Sequence, residues 1–500
     1  MRSRLYSVGA QPPTPRSRAP NPLIPAEGIP IELSVISLLP PLLAIILAIA
    51  TRQVYLSLAA GVWIGWTILS GWNPVAGAAG AIEGVVGVLG DAGNARVILF
   101  TLVIGALIAT IESAGGVRGF VDWVEHRRWV EDGRRARILA WLLGTVIFIE
   151  SNITVLVSGS IARPLFDRYR ESREKLAYII DSTSAPVCIL IPLNAWGAYI
   201  LGILGTLGVE SPLQVMIAAI AFNFYAIFAW ILAGSTAIWG LDIGGGMKRA
   251  SARVEGGELL RPGSIPALDT SVLGGGEESP VTPHASLMIV PVIVMIAAMP
   301  LGLYVTGEGD ITAGSGSTSV LWAVLAALVS TWILLLPRGV GLDRLTGMAL
   351  RGAGGLVGLA LLLMFALALG NVARELRTGE YVAAVTQGVF PPYILLPLIV
   401  LVAAGIAFST GTSWGTFAIM LPIAVPTAAA MGLPLAPFIA ASLAGGVFGD
   451  HASPISDTTI ISSMASAVDH IDHVRTQLPY ALIAGSLALV AYAITGAMIG

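Results

Sequence analysis

Apolar runs close to 20 residues long recur along almost the whole chain, and no other feature limits its fold so severely. They include Leu33–Ala50, Leu213–Ala233, Ser286–Tyr304, Val320–Leu336 and Ala481–Met498. At about 1.5 Å per residue, about 20 helical residues cross a hydrocarbon core about 30 Å thick. Lipid offers no partner to a free backbone group, so only helices or closed barrels span it. The alternating strands of a barrel are absent from the sequence. Composition agrees: 11% of the 500 residues are charged and 55% are hydrophobic, against about 25% charged in soluble domains. The expected fold is an all-α polytopic membrane protein, lodged in the lipid bilayer of the plasma membrane.

A net charge of −3 and the absence of a basic stripe give no reason to expect nucleic acid as a partner. Cys188 is the only cysteine, which excludes an intrachain disulfide or a cysteine-based metal cluster. Residues 1–32 carry Arg2, Arg4, Arg16 and Arg18 among prolines. They are predicted to form a disordered tail rather than a signal peptide, because no apolar core precedes a cleavage-like site.

Arg118–Arg137 holds six arginines and Arg163–Lys175 holds five basic residues. Cytoplasmic loops are enriched in Lys and Arg, so both stretches are expected inside. Only 25 residues, Ile138 to Ala162, separate them. The conflict disappears if this segment, about 138–162, enters the membrane and returns as a re-entrant hairpin. Its arms of about a dozen residues are too short to cross, and Glu150, Ser151 and Asn152 would lie at the tip. A second hairpin is expected over about 393–430, with Thr410, Gly411, Thr412 and Ser413 at its tip.

After the first hairpin comes LAYIIDSTSAPVCILIPLNAWGAYI, and after the second FIAASLAGGVFGDHASPISDTTIISS. Each is an apolar arm, an Asp with hydroxyl residues, a Pro step and a further arm. Each is predicted to be a helix broken in mid-membrane. Residues 241–284 are hydrophilic and rich in Gly, and read as a cytoplasmic linker. The chain is thus expected to form two inverted repeats, 33–240 and 285–500. Each holds about five transmembrane helices, a hairpin and a broken helix. The spans are placed near 33–51, 53–72, 97–114, 286–305, 319–337 and 353–370, apart from those around the breaks. This count puts both termini outside, whereas the arginines of the tail point the other way. Paired breaks with polar residues near one depth are the mark of a secondary transporter.

An acidic residue at the bilayer centre costs about 2.5–3.5 kcal/mol even on the lenient insertion scale. Asp450, Ser453, Ser456, Asp457, Thr458 and Thr459 form the densest polar set. Carboxylates, hydroxyls and freed carbonyls suit a hard cation such as sodium, and a carboxylate can take a proton instead. The set could also satisfy only its own helix break. Ser151, Asn152 and Thr154, with Thr410, Thr412 and Ser413, offer neutral ligands at the hairpin tips or simply cap the turns. Asp181, Ser182 and Thr183, with Asn194 beyond, mirror the C-terminal set, although Asp181 could cap a half-helix. Asp457, Thr458, Asn152 and Thr412 are the sodium-ligand candidates. Asp450, Asp457, His451 and Glu150 are the proton-coupling candidates; His451 equally suits a structural hydrogen bond, and Glu150 a partner arginine. Asp469, His470, Asp472 and His473 are expected in a solvated cytoplasmic loop.

GDHASPISDTTIISS and IFIESNITVLVSGSIARPLFDRYRESREKLAYIIDSTSAPVCILIPLNAWGAYI resemble the NhaC-type sodium/proton antiporter family, part of a larger ion-transporter superfamily. The resemblance spans roughly residues 35–499 apart from the linker. It implies secondary transport coupled to sodium or protons, with no cofactor, by a scaffold of two inverted repeats that is usually dimeric. The family's polar positions fall on Ser151, Asn152, Asp181, Ser182, Thr183, Asn194, Thr412, Asp450, Ser453, Asp457 and Thr458. Family members also exchange small organic solutes, such as malate with lactate, or amino acids. The leading expectation is sodium/proton antiport by alternating access. The alternative is sodium- or proton-coupled carriage of a small carboxylate or amino acid. An intramembrane aspartyl hydrolase and a channel are the other classes an Asp pair invites. A repeated hairpin frame is not needed for the first, and no filter-like motif marks the second.

Overall fold

The computed structural model describes residues 34–500 except 52, 127–129, 149–150, 193, 267–279, 311–313 and 387–390, and leaves out the side chains of 49, 121, 124–126, 152, 153, 160, 195, 382, 383, 385 and 386. The expected tail, Glu150 and the Asn152 side chain therefore lie outside the described residues. The described residues are helical, with no strand among them.

The first part of the chain forms α1 (Leu39–Thr51), α2 (Val54–Leu69), α3 (Pro74–Val88), α4 (Ala92–Ser113) and α5 (Gly116–His126). The first hairpin is built from α6 (Gly133–Val146) and α7 (Ser151–Arg168). Then come α8 (Arg173–Ser182), α9 (Ala185–Leu190), α10 (Ala195–Thr206), α11 (Pro212–Ile220), α12 (Phe224–Trp239) and α13 (Gly244–Glu255). The second part holds α14 (Ser286–Thr306), α15 (Gly316–Leu335), α16 (Leu342–Gly355), α17 (Val357–Glu375) and α18 (Thr378–Thr386). It continues with α19 (Pro392–Thr410), α20 (Ser413–Ala430), α21 (Leu435–Ala452), α22 (Asp457–Ser466) and α23 (His470–Ile499).

Eight helices among the described residues are long and apolar enough to cross a membrane. They are α4, α12 counted with α13, α14, α15, α17, α19, α20 and α23. Several segments depart from expectation. The run expected as a span at 33–51 holds only 13 residues of α-helix in α1, about 20 Å of rise. The chain turns by 120° between α2 and α3, so Val75–Gly90 is mostly a separate helix that doubles back. The apolar run Leu213–Ala233 is not one helix: it breaks before Asn223, and the Tyr492 hydroxyl donates to the Phe222 carbonyl there, at 2.6 Å. The arms of the first hairpin have 14 and 18 residues, more than a dozen each. Those of the second have 19 and 18, so length alone does not mark them as re-entrant.

Local chemistry explains where the helices start near the breaks. Ser172, Ser456 and Asp469 cap α8, α22 and α23, each accepting a backbone N–H from the first turn. The described part of the linker region is a docked structure rather than a free connection. Met247, Ala250 and Val254 make the buried face of α13. Arg253 pairs with the buried Glu174 at 2.6 Å, and Arg261 with Asp472 at 2.9 Å.

Small residues bring α19 and α21 close. A Cβ on Gly445 or Gly449 of α21 would collide with the Val400 or Ala404 carbonyl of α19. This i,i+4 pair lets the two backbones touch, as at tight crossings in membranes. At the tip of the second hairpin Gly411 takes φ +69°, and a Cβ there would strike the Ile455 carbonyl.

Candidate functional site

Each hairpin tip is tied to a helix break later in the chain. In the first half, Asn194 donates to the carbonyls of Phe148 (3.0 Å), Cys188 (2.9 Å) and Ile191 (2.8 Å), and accepts from the Gly197 N–H (2.9 Å). Thr154 donates to the Ile147 carbonyl within the same tip. In the second half, the Ser453 hydroxyl donates to the Phe408 carbonyl at 2.7 Å, and Ser413 to the Asp450 carboxylate at 2.7 Å. Carbonyls freed at the tips and breaks are thereby satisfied by side chains.

The breaks leave two carboxylates inside the protein. Asp181 lies in the last turn of α8 and Asp450 in the last turn of α21; each is 1% exposed. Asp181 Oδ2 accepts from the Thr459 hydroxyl (3.1 Å) and from Gln477 Nε2 (2.7 Å). His451 Nε2 and His473 Nε2 each lie 3.9 Å from the same oxygen. Asp450 Oδ2 accepts from Ser413, whose hydroxyl also lies 3.3 Å from the Gly446 carbonyl. The remaining oxygen of each carboxylate, Oδ1, is buried with no protein hydrogen-bond partner, and the Ser456 hydroxyl also faces the Asp450 carboxylate. No Lys or Arg among the described residues pairs with either one.

Side chains from four helices join the two carboxylates. The Ser182 hydroxyl meets His451 Nε2 at 3.2 Å, and the Tyr225 hydroxyl meets His451 Nδ1 at 2.6 Å. Gln477 Nε2 also donates to the His451 carbonyl at 2.8 Å, and its Oε1 faces His473 Nε2 at 2.8 Å. Just beyond the breaks, the Trp196 and Trp414 rings meet with centroids 4.6 Å apart. The Tyr199 hydroxyl donates to the Trp414 carbonyl at 3.1 Å.

The sequence model of the Na+/H+ antiporter family matches residues 201–497, more than half of the chain. The chain belongs to the Na+/H+ antiporter family. An uncharacterised protein of Haemophilus influenzae is 35% identical over 94% of this chain and 92% of its own. The malate-2H(+)/Na(+)-lactate antiporter of Bacillus subtilis is 33% identical over 22% of this chain and 23% of that one. The fold is like that of the YdaH transporter of Alcanivorax borkumensis, with a TM-score of 0.57, 12% identity, and coverage of 84% and 88%. This antiporter-family chain is therefore an integral membrane protein and a secondary transporter, not an enzyme.

Within this family member the expected site residues separate into groups. Asp181, Ser182, Ser413, Asp450, His451 and Thr459 are brought together and buried. Ser151 and Thr154 are buried at the start of α7. Thr183 and Thr410 donate back into their own helices, to Ile179 and Ile406, and Asn194 serves backbone carbonyls. Thr412 is half-buried as the N-cap of α20 and makes no side-chain cap bond. Ser456 caps α22 and sits 3.1 Å from the buried Thr458 hydroxyl. Asp457 is exposed in the first turn of α22.

Sequence reasoning misplaced His473 and missed Gln477 and Tyr225. His473 is fully buried, not part of a solvated loop. With Asp469 capping, α23 starts at His470, so His473, Thr476, Gln477 and Tyr480 fall on one buried face. Their i, i+3, i+4, i+7 spacing behind a capping Asp was the available signal.

Proposed function

We propose that this protein exchanges sodium for protons, and that Asp181 and Asp450 form the site where the two compete. The observation that carries this reading is the pair of buried carboxylates, each with one oxygen engaged and the other unpartnered. An unpartnered carboxylate oxygen in a low-dielectric interior demands either a proton or a cation. The Ser413, Thr459 and Ser182 hydroxyls and the carbonyls freed at the breaks supply the neutral oxygens a sodium ion takes. Occupancy by one excludes the other, and exchange results if the site opens to the two sides in turn.

The reading includes two repeats, 33–240 and 285–500, whose hairpin-containing halves move relative to a supporting bundle. The support for it is the tie between hairpin tip and helix break, made in both halves. The test is sodium-driven proton flux in proteoliposomes. Flux is expected in the native chain and lost in Asp450→Asn and in Asp181→Asn. Equal flux without sodium, or full activity in both variants, would overturn the reading.

A second reading has one specific support, the partial match to an antiporter that by its name exchanges malate and lactate with sodium and protons. Here a small carboxylate would travel with the cation, next to the Trp196–Trp414 pair. Labelled lactate and malate in the same vesicles separate the two. Sodium and protons exchanging at full rate with no uptake of either acid excludes the second.

A further inference from the structure

Thr459 is one of four hydroxyl residues on a single face of α22. Thr459, Ser462, Ser463 and Ser466 follow the i, i+3, i+4, i+7 spacing and are all buried. Two are accounted for: Thr459 donates to Asp181, and Ser463 bonds the Thr459 carbonyl and meets His470 and His473. The Ser462 and Ser466 hydroxyls have no hydrogen-bond partner, although both residues are 0% exposed. Across the seam, on α7, Ser158 is also 0% exposed and its hydroxyl is also unpartnered. It neighbours, on α7, the residue that meets α22: a Cβ on Gly159 would sit 2.6 Å from Ala465 Cβ, and helical spacing puts Ser158 on one face with Val155 and Ala162. Val155 and Ala162 of the same face share a buried cluster with Ala465.

Three unpaired hydroxyls buried on two helices that pack together are not what a structural contact needs. Alanine fills the space without stranding a polar group. Buried polar atoms without protein partners are where water or a hydrated ion is held. The seam also has a direction. It starts at Thr459 on Asp181 and ends about 10 Å away along the helix, at Ala467. There Arg173 donates to the Ala467 carbonyl at 3.0 Å while pairing with Asp167 at 2.8 Å. Arg173 belongs to the basic stretch Arg163–Lys175, which the charge rule places on the cytoplasmic side.

We infer that the α7–α22 seam is the cytoplasmic access route to Asp181, lined by Ser158, Ser462 and Ser466, with Arg173 at its mouth and closed in this structure. The inference rests on the proposed exchange at Asp181 and names the path that serves it. Water or sodium passing along the seam would exchange partners among the three hydroxyls and then meet Thr459 and the carboxylate.

Cys188 is the only native cysteine and is fully buried, so the native chain serves as parent and gives the background labelling rate. Ser158→Cys, Ser462→Cys and Ser466→Cys are each made in it, with Ile333→Cys, exposed on the membrane-spanning α15, as control. A charged, membrane-impermeant thiol reagent is added from the cytoplasmic side during exchange. The three seam cysteines are expected to react roughly ten-fold faster than the control thiol, because lipid excludes a charged reagent. Saturating sodium is expected to slow them. Reaction at two or three seam positions supports the route. Reaction at one or none, or only from the outer side, overturns it. Ser462→Ala with Ser466→Ala supplies a second readout: flux falls several-fold while thermal stability is kept or raised. Unchanged flux in that double variant also overturns the route. Absence of sodium-driven proton flux in the native chain would instead sink the functional reading, so the two failures are distinguishable.

Discussion

Asp450 and Asp457 lie seven positions apart in one polar stretch, yet the fold treats them differently. Asp450 is buried and takes the Ser413 hydroxyl, whereas Asp457 is exposed in the first turn of α22. A carboxylate in that turn favours the helix by about 0.3–1 kcal/mol. Asp450→Asn is therefore expected to abolish sodium-coupled proton flux. Asp457→Asn is expected to shift the sodium concentration for half-maximal flux a few-fold and leave coupling intact. Steady-state flux against sodium concentration checks both, and loss of coupling in Asp457→Asn alone would reverse their roles. Gln477 offers a second single-residue test. It donates to Asp181 and to the His451 carbonyl from a fully enclosed position, so Gln477→Ala strands the carbonyl and leaves Asp181 Oδ2 with the Thr459 hydroxyl alone. A stability loss of about 1–3 kcal/mol is expected, read as a lower melting temperature in detergent. Asp181 and Asp450 were legible in the sequence because an acid within an apolar run has few structural excuses. Gln477 and His473 were not, because Asp181, the group both face, lies 296 positions before Gln477. Sequence does not orient helices that far apart across a break.

At the scale of elements, the helix breaks follow from their chemistry. Pro186 and Pro454 stand just beyond Asp181 and Asp450, while Ser172 caps the helix before the first break and Ser456 the helix after the second. Period alone located most long helices, since an apolar run of about 20 residues has little choice in lipid. It failed at Asn223 and between α2 and α3, where a polar or turn residue ends a helix inside or beside an apolar stretch. The contact between α19 and α21 depends on space rather than propensity. Gly449→Val would drive a side chain into the Ala404 backbone and is expected to prevent the second hairpin from seating, lowering the yield of folded protein sharply. Gly405→Ala, on α19 where a Cβ meets nothing within 4 Å, is expected to be neutral or to stabilise by up to about 1 kcal/mol. Size-exclusion profiles and melting curves of the two variants distinguish a spatial requirement from a general intolerance of glycine replacement.

At the scale of the whole molecule, the hydrophilic stretch between the halves is part of the machine. Polar composition made it read as a connector, but α13 sets an apolar face against the bundle and Arg253 neutralises Glu174, whose side chain is 2% exposed. Removing one member of a buried pair leaves the other charge stranded, at about 3–5 kcal/mol. Arg253→Met is expected to destabilise the protein by that order, and Arg253→Met with Glu174→Gln to recover most of it in the same melting assay. The docked linker holds the outer end of α8, and α8 carries Asp181 at its inner end. On the proposed exchange at Asp181, stability and transport are thus joined through one helix. The central claim remains that sodium and protons contend for the same buried carboxylates. It is tested most directly by adding sodium to the purified protein in weakly buffered solution and recording the pH. Release of protons that saturates with sodium, and disappears in Asp181→Asn with Asp450→Asn, is the expected result. Sodium binding without proton release, or unchanged release in the double variant, would contradict it.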